Sequence, residues 1–279
     1  MATKTATQLT TDLMVDPEWI ADHLNDPAVR LVEVDVAAAA YDAGHIPGAV
    51  LWNAYSDLRR LDYSPVAFDE LVTLLSRSGI EPSSTIVLYG YAAYLGFWLM
   101  KSIGHERVLL MDGPRERWEQ AGYRWAQQAR RPAPVSYADR GGDETVIASR
   151  DEVARLIGRP DGLILDVRSR AEFDGDRFWP SGATENAGRS GHIPGAVHLP
   201  FDLLLDADRR LKDPREIRAI CDAHGVEPDR RVVTYCTIGN RASLVWFVLG
   251  HVLGLPDVAV YYGSWVEWGK LADTPVEAS

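Results

Sequence analysis

A cysteine at the end of an apolar run, followed closely by a glycine and an arginine, is the part of this chain best arranged for nucleophilic chemistry. Cys236 closes the run Arg231-Val232-Val233-Thr234-Tyr235 and opens a short turn, Cys236-Thr237-Ile238-Gly239-Asn240-Arg241, that leads into an apolar stretch over residues 242–253. Strand, loop and helix in that order aim a helix N-terminus at the thiol. Amide N–H groups left unpaired at a helix start, together with the positive end of its dipole, stabilise an anion placed there. A thiolate is such an anion, and it is the form of cysteine that attacks electrophiles. Gly239 permits the backbone angles that a tight nest of N–H groups requires, and Arg241 brings a cation within reach of the loop. A free cysteine taken at random is usually a small buried hydrophobe. The glycine and arginine spacing argues against that for Cys236, whereas Cys221, in an amphipathic pattern over residues 214–224, reads as structural.

The frame around this loop is a duplication. Gly44-His45-Ile46-Pro47-Gly48-Ala49-Val50 recurs letter for letter as Gly191-His192-Ile193-Pro194-Gly195-Ala196-Val197. Leu31-Val32-Glu33-Val34-Asp35-Val36 is answered by Gly162-Leu163-Ile164-Leu165-Asp166-Val167, which pairs Asp35 with Asp166. Gly79-Ile80-Glu81-Pro82 is answered by Gly225-Val226-Glu227-Pro228, and Asp112-Gly113 with Trp118 by Tyr262-Gly263 with Trp268. Such self-similarity marks a repeated structural unit. Aligning Gly79 with Gly225 sets Gly90 opposite Cys236, so the first copy lacks the thiol. It is also four residues shorter between that point and Gly113, which reads as a shortened loop. His45 and His192, present in both copies, are therefore expected to be structural, tied to the Asp35 and Asp166 strand ends. Trp118 and Trp268 are expected in the cores.

The paired Gly-His-Ile-Pro-Gly-Ala motifs, the Cys-x-x-Gly-x-Arg loop and the closing run Tyr261-Tyr262-Gly263-Ser264-Trp265-Val266-Glu267-Trp268 together resemble the tandem-domain rhodaneses, sulfurtransferases of the thiosulfate and 3-mercaptopyruvate type. The resemblance covers residues 12–275. It implies an α/β protein of two tandem rhodanese-like domains, each a mainly parallel sheet flanked by helices. The first, residues 12–130, would be non-catalytic and the second, residues 145–275, catalytic. The prolines and paired arginines of Ala129-Arg130-Arg131-Pro132-Ala133-Pro134-Val135 suit a linker over residues 131–144, because they continue neither helix nor sheet.

Composition agrees with two domains. A chain of 279 residues divides into units of ordinary size, and an apolar share of 46% supports two cores. Alternating strand and helix patterns predict strands near residues 29–34 and 85–89 and helices near 67–78 and 93–103, as in parallel sheets covered on both faces. Ligands of such folds gather at the carboxyl ends of strands, where Cys236 lies. A net charge of −11 disfavours nucleic acid as a partner. No membrane partner is expected, since the longest apolar segment is too short to span a bilayer. Met1 to Val15 carry no basic region followed by an apolar core, so a cytoplasmic location is expected, as suits two cysteines with no disulfide framework. An irregular insertion over residues 174–190 offers Arg177, Trp179 and Arg189 as contacts at the rim of the cleft.

The chemistry implied is transfer of a sulfane sulfur: Cys236 takes it from thiosulfate as a persulfide and passes it to cyanide, a small thiol or a protein thiol. No metal and no cofactor is expected. Thr237, Ile238, Gly239, Asn240 and Arg241 are the expected donor-binding residues, with the Arg241 guanidinium suited to an oxyanion. The loop matches neither the Cys-Arg-Lys-Gly-Val-Thr of animal thiosulfate enzymes nor the Cys-Gly-Ser-Gly-Val-Thr of mercaptopyruvate enzymes, and is closer to bacterial thiosulfate-type loops ending in arginine. Where animal enzymes carry a substrate-binding arginine just before an aromatic, this chain has Glu172 before Phe173, with Arg168 or Arg170 as the nearest replacements. The alternatives are a 3-mercaptopyruvate sulfurtransferase and a non-enzymatic sulfur carrier or interaction module. Cysteine phosphatases of related fold place one more residue between cysteine and arginine than the four found here, which disfavours a phosphate substrate.

Overall fold

The computed structural model describes residues 12–60, 64, 66–138 and 141–278. Residues 1–11, most of the segment read as free of a targeting signal, lie outside them, as do two residues of the proposed linker. The described residues fall in two units, 12–143 with 208–210 and 144–207 with 211–278.

Each unit is built on a five-stranded parallel sheet. In the first, β1 (Met14–Val15), β2 (Val29–Asp35), β3 (Val50–Asn53), β4 (Thr85–Tyr89) and β5 (Val108–Met111) are ordered β1-β5-β4-β2-β3. In the second, β6 (Ile147–Ala148), β7 (Gly162–Asp166), β8 (Val197–His198), β9 (Arg231–Tyr235) and β10 (Val258–Tyr261) repeat that order as β6-β10-β9-β7-β8. The central strands Thr-Ile-Val-Leu-Tyr and Arg-Val-Val-Thr-Tyr are buried almost end to end, as strands covered by helices on both faces must be. Among the covering helices, Phe68–Arg77 sends Leu71, Leu74 and Leu75 into the core. Pro214–Ala223 is started by Asp213, whose carboxylate accepts the Arg215 amide at 2.8 Å with a proline in the first turn. Cys221 is buried on this helix, and burial pushes its thiol up to about 11, which leaves it unreactive.

The registers correct the alignment of the two halves. Tyr89 lies opposite Glu33, and Tyr235 lies opposite Asp166. Glu33, not Asp35, is therefore the counterpart of Asp166, and Asp35 matches Arg168. A slip of two residues keeps every side chain on the same face of the strand, so the apolar pattern alone does not reveal it. The matched positions do the same work. Tyr89 and Tyr235 accept the amides of Ile46 and Ile193 at 3.0 and 3.1 Å, the residue after the histidine in each repeated motif. Glu33 is paired with Arg115 at 3.0 Å and Asp166 with Arg168 at 2.6 Å.

Three further expectations change. His45 and His192 do not reach Asp35 or Asp166. Their Nδ1 atoms meet the carbonyls of Tyr41 and Phe173 at 2.9 and 2.8 Å, and both rings are stacked on those aromatic side chains. The stretch read as a linker runs along the first unit: the Val135 amide donates to Ser76, and Tyr137 meets His105 Nδ1 at 2.8 Å. The four-residue deficit of the first copy is mostly not in the loop. Only one residue is missing between strand and helix. The others lengthen the second copy's helix, where Asn240–Phe247 continues as a π-helical turn, Val248–Val252, against a single Ala93–Ser102 in the first.

Candidate active site

Cys236 follows directly on β9, and the helix Asn240–Phe247 begins four residues later. Gly239 caps that helix at φ +93°, a conformation that costs a side-chain-bearing residue about 1–2 kcal/mol. The turn it makes brings its own amide to 3.1 Å from Cys236 Sγ. The thiol is 1% exposed, and Thr237, Ile238 and Asn240 are buried beside it.

A second segment, which the sequence reading treated only as a family mark, holds the loop from behind. The amides of Trp265 and Val266 donate to the carbonyls of Cys236 and Thr237 at 2.9 and 3.0 Å. A trans peptide points its N–H opposite to its C=O, so these bonds turn the Thr237 and Ile238 amides away from the helix Ser264–Trp268. Ser264 makes the corner at φ +55°, an uncommon angle for a residue other than glycine. Its Oγ accepts the Cys236 amide at 3.4 Å and donates to the Tyr261 carbonyl at 2.8 Å. The signal in the sequence is the small pair Gly263-Ser264 one residue beyond the strand that ends at Tyr261.

Glu172 organises the other side of the loop. Its fully buried carboxylate accepts two bonds from the Arg241 guanidinium, both 2.8 Å, and one from the Thr237 hydroxyl at 2.6 Å. Ser169 adds its hydroxyl at 2.7 Å and its amide at 3.1 Å in a capping box for the short helix Arg170–Phe173. Arg241 also donates to Thr237 Oγ1 at 2.7 Å. Arg241, expected to meet a donor anion, is thus engaged by an internal one. Burial alone would raise the Glu172 carboxyl, but the bonds from Arg241, Thr237 and Ser169 outweigh it and hold the group down to about 2. A carboxyl lowered on folding stabilises the fold fully above its ordinary value, and that stabilisation is lost as pH falls through the folded one. Acid unfolding of Glu172→Gln should therefore be less steep than that of the parent between about pH 4.5 and 2. The contribution at stake is about 3 kcal/mol, and parallel urea-unfolding curves across that window measure it.

Arg168, the other expected donor-binding residue, does not line the site. It is fully buried, with its guanidinium bonded to Asp166 and to the Gly191 carbonyl at 2.6 Å each. Its cation lies 4.5 Å from the Trp265 ring centre and 5.5 Å from that of Tyr235. A planar cation next to a buried carboxylate belongs in that sandwich and not at a solvent-facing pocket. Tyr235 donates to the same Asp166 carboxylate at 2.6 Å, so the pair anchors the residue that precedes Cys236. Arg189 is likewise withdrawn from the rim: it donates to the carbonyls of Gly269, Trp268, Leu271 and Thr274 and ties down the chain end. Arg177 and Trp179 bond to carbonyls within the insertion itself, those of Pro180 and Glu185.

The matching place in the first unit is closed. Gly90 has φ +98°, and a Cβ there would lie 2.8 Å from the Val34 carbonyl oxygen. The Ala92 amide donates to that same oxygen at 2.9 Å, drawing the loop onto β2. No cysteine fits at this position without moving the backbone.

Comparison with known proteins agrees with this geometry, since residues 16–121 and 149–271 each match the rhodanese-like domain. The chain belongs to the rhodanese family. It is a sulfurtransferase with two tandem rhodanese-like domains. It is 38% identical over 278 residues to a "Putative thiosulfate sulfurtransferase" of Haloferax volcanii, covering 95% of this chain and 96% of that one. It is also 38% identical over 279 residues to the "Sulfur carrier protein TtuD" of Thermus thermophilus, with the same coverage. In fold it is similar to an anaerobic ergothioneine biosynthesis enzyme from Chlorobium limicola, with a TM-score of 0.86 and 24% identity over 97% of this chain and 71% of that one. Within the described residues, this rhodanese has no group of three or more His, Cys, Asp or Glu side chains arranged to hold a metal ion, and no helix long and apolar enough to cross a membrane.

Proposed function

We propose that this rhodanese moves sulfane sulfur from thiosulfate to a thiophilic acceptor through a persulfide on Cys236, with the second unit catalytic and the first without chemistry. The observation that carries the reading is the Gly239 amide held on the Cys236 sulfur at the start of a helix. The Cys236 thiolate attacks the outer sulfur of thiosulfate. The sulfur–sulfur bond of the donor breaks, its electron pair leaves with sulfite, and the enzyme keeps a persulfide anion. Cyanide or a thiolate then attacks the terminal sulfur and returns the Cys236 thiolate, with thiocyanate or a persulfide as product. The thiolate and the persulfide both carry one negative charge, so the amides that hold the first also suit the second, with little rearrangement between steps. Sulfite is a good leaving group, so its departure with the electron pair of the donor's sulfur–sulfur bond needs no general acid. Thr237, Ile238, Gly239 and Asn240 form the cradle, and Arg241 fixes its far side through Glu172.

Incubation with thiosulfate should add the mass of one sulfur atom to the peptide carrying Cys236, and cyanide should remove it as thiocyanate. Absence of that mass gain defeats the reading. The sulfur-carrier name of one close relative supports a second role, delivery of the persulfide to a protein acceptor. Rapid loading without turnover on cyanide or small thiols is the outcome that favours it.

A further inference from the structure

The guanidinium that closes the Cys236 loop is already paired with an anion belonging to the protein. Arg241, half a turn into the helix behind the loop, gives two parallel bonds to Glu172, the geometry in which an arginine grips a carboxylate or an oxyanion most strongly. The same carboxylate takes the hydroxyl of Thr237, the residue after Cys236, so the negative charge sits at the edge of the cradle. Glu172 is buried, is fastened by Ser169 and remains ionised at neutral pH. Its charge cancels that of Arg241, and it adds repulsion toward any second anion that approaches the loop.

We propose that Glu172 is a specificity-determining positioning residue, an internal carboxylate that occupies the Arg241 guanidinium and thereby lowers the affinity of the site for dianions. This rests on the sulfur-transfer reading above. It has two consequences for that reaction. Thiosulfate gains little from its second charge, so singly charged sulfur donors such as alkyl thiosulfonates are accepted on nearly equal terms. Sulfite, a dianion near neutral pH once its sulfur has been left behind, is not retained by the arginine and departs.

The test compares thiosulfate with methanethiosulfonate, a dianion against a monoanion, in steady-state transfer to cyanide by the full chain. Removing one negative charge beside the loop in Glu172→Gln should lower KM for thiosulfate about tenfold relative to methanethiosulfonate, the differential expected for one charge at the effective dielectric of a protein surface. Inhibition by added sulfite should tighten by a similar factor. Glu172→Asp, which keeps the charge, should stay near the parent ratio. A purely structural role would depress both donors equally and leave their ratio and the sulfite inhibition unchanged, and that result overturns the proposal. Should Glu172→Gln not fold, Arg241→Gln leaves the carboxylate uncompensated and must shift the ratio the other way, toward the monoanion; an unchanged ratio there is equally decisive against it. Loss of the Cys236 persulfide in the unmodified chain is a separate failure, of the reaction and not of this assignment.

Discussion

Cys236→Ser is expected to lose sulfur transfer by at least about a thousandfold while remaining folded. The chemistry needs an ionised, polarisable nucleophile that can carry a second sulfur atom, and a serine hydroxyl is almost wholly protonated near neutral pH with no equivalent of a persulfide. The fold has little at stake in the exchange. Serine is close in size, and its oxygen can still accept the Gly239 amide that now meets Sγ at 3.1 Å. The loop is also held independently by the bonds from Trp265 and Val266 to the carbonyls of Cys236 and Thr237. Unfolding free energy should move by less than about 1 kcal/mol. Thiocyanate production from thiosulfate and cyanide, with a urea-unfolding curve of the same sample, measures both. Activity close to the parent would place the chemistry on another residue.

Arg168→Met is expected to have the largest effect on stability, about 3–5 kcal/mol, because it leaves Asp166 as an uncompensated buried charge. Both side chains of this pair are fully buried, and the Asp166 carboxylate also receives the Tyr235 hydroxyl at 2.6 Å. Much of the penalty belongs to the orphaned carboxylate, so Asp166→Asn combined with Arg168→Met should recover a good part of it. Arg170→Ala provides the contrast. Its ion pair with Asp174 is similar in length, 2.6 Å, but the arginine side chain is 70% exposed, and a loss within about 1 kcal/mol is expected. With two units in the chain, the denaturation curve is to be resolved into its separate transitions before free energies are compared. Equal losses for Arg168→Met and Arg170→Ala would contradict the structural role given to Arg168.

Much of the architecture could be read without coordinates because its signals are local. The apolar runs that became β4 and β9, the helix over Phe68–Arg77 and the helix over Pro214–Ala223 each follow from patterns a few residues long. The repeat of the histidine motif did the rest, since it made each half a check on the other. Its pairing of Asp35 with Asp166 failed through a slip of two residues that preserves the facing of every side chain and is visible only in the hydrogen-bond register.

The site divides along the same line. Sequence alone singled out the candidate thiol, the glycine that turns the loop, the arginine that closes it and the absence of a thiol from the first copy, because these lie within a few residues of one another or recur at matched positions. Tertiary structure decided what each charge is for. Glu172 meets Thr237 across 65 residues and Arg241 across 69, Ser264 meets Cys236 across 28, and Arg168 is closed in beside its near neighbour Asp166 by the Gly191 carbonyl across 23. Pairings over such separations leave no periodic trace in the chain, since they depend on which strand ends and helix starts the fold brings side by side.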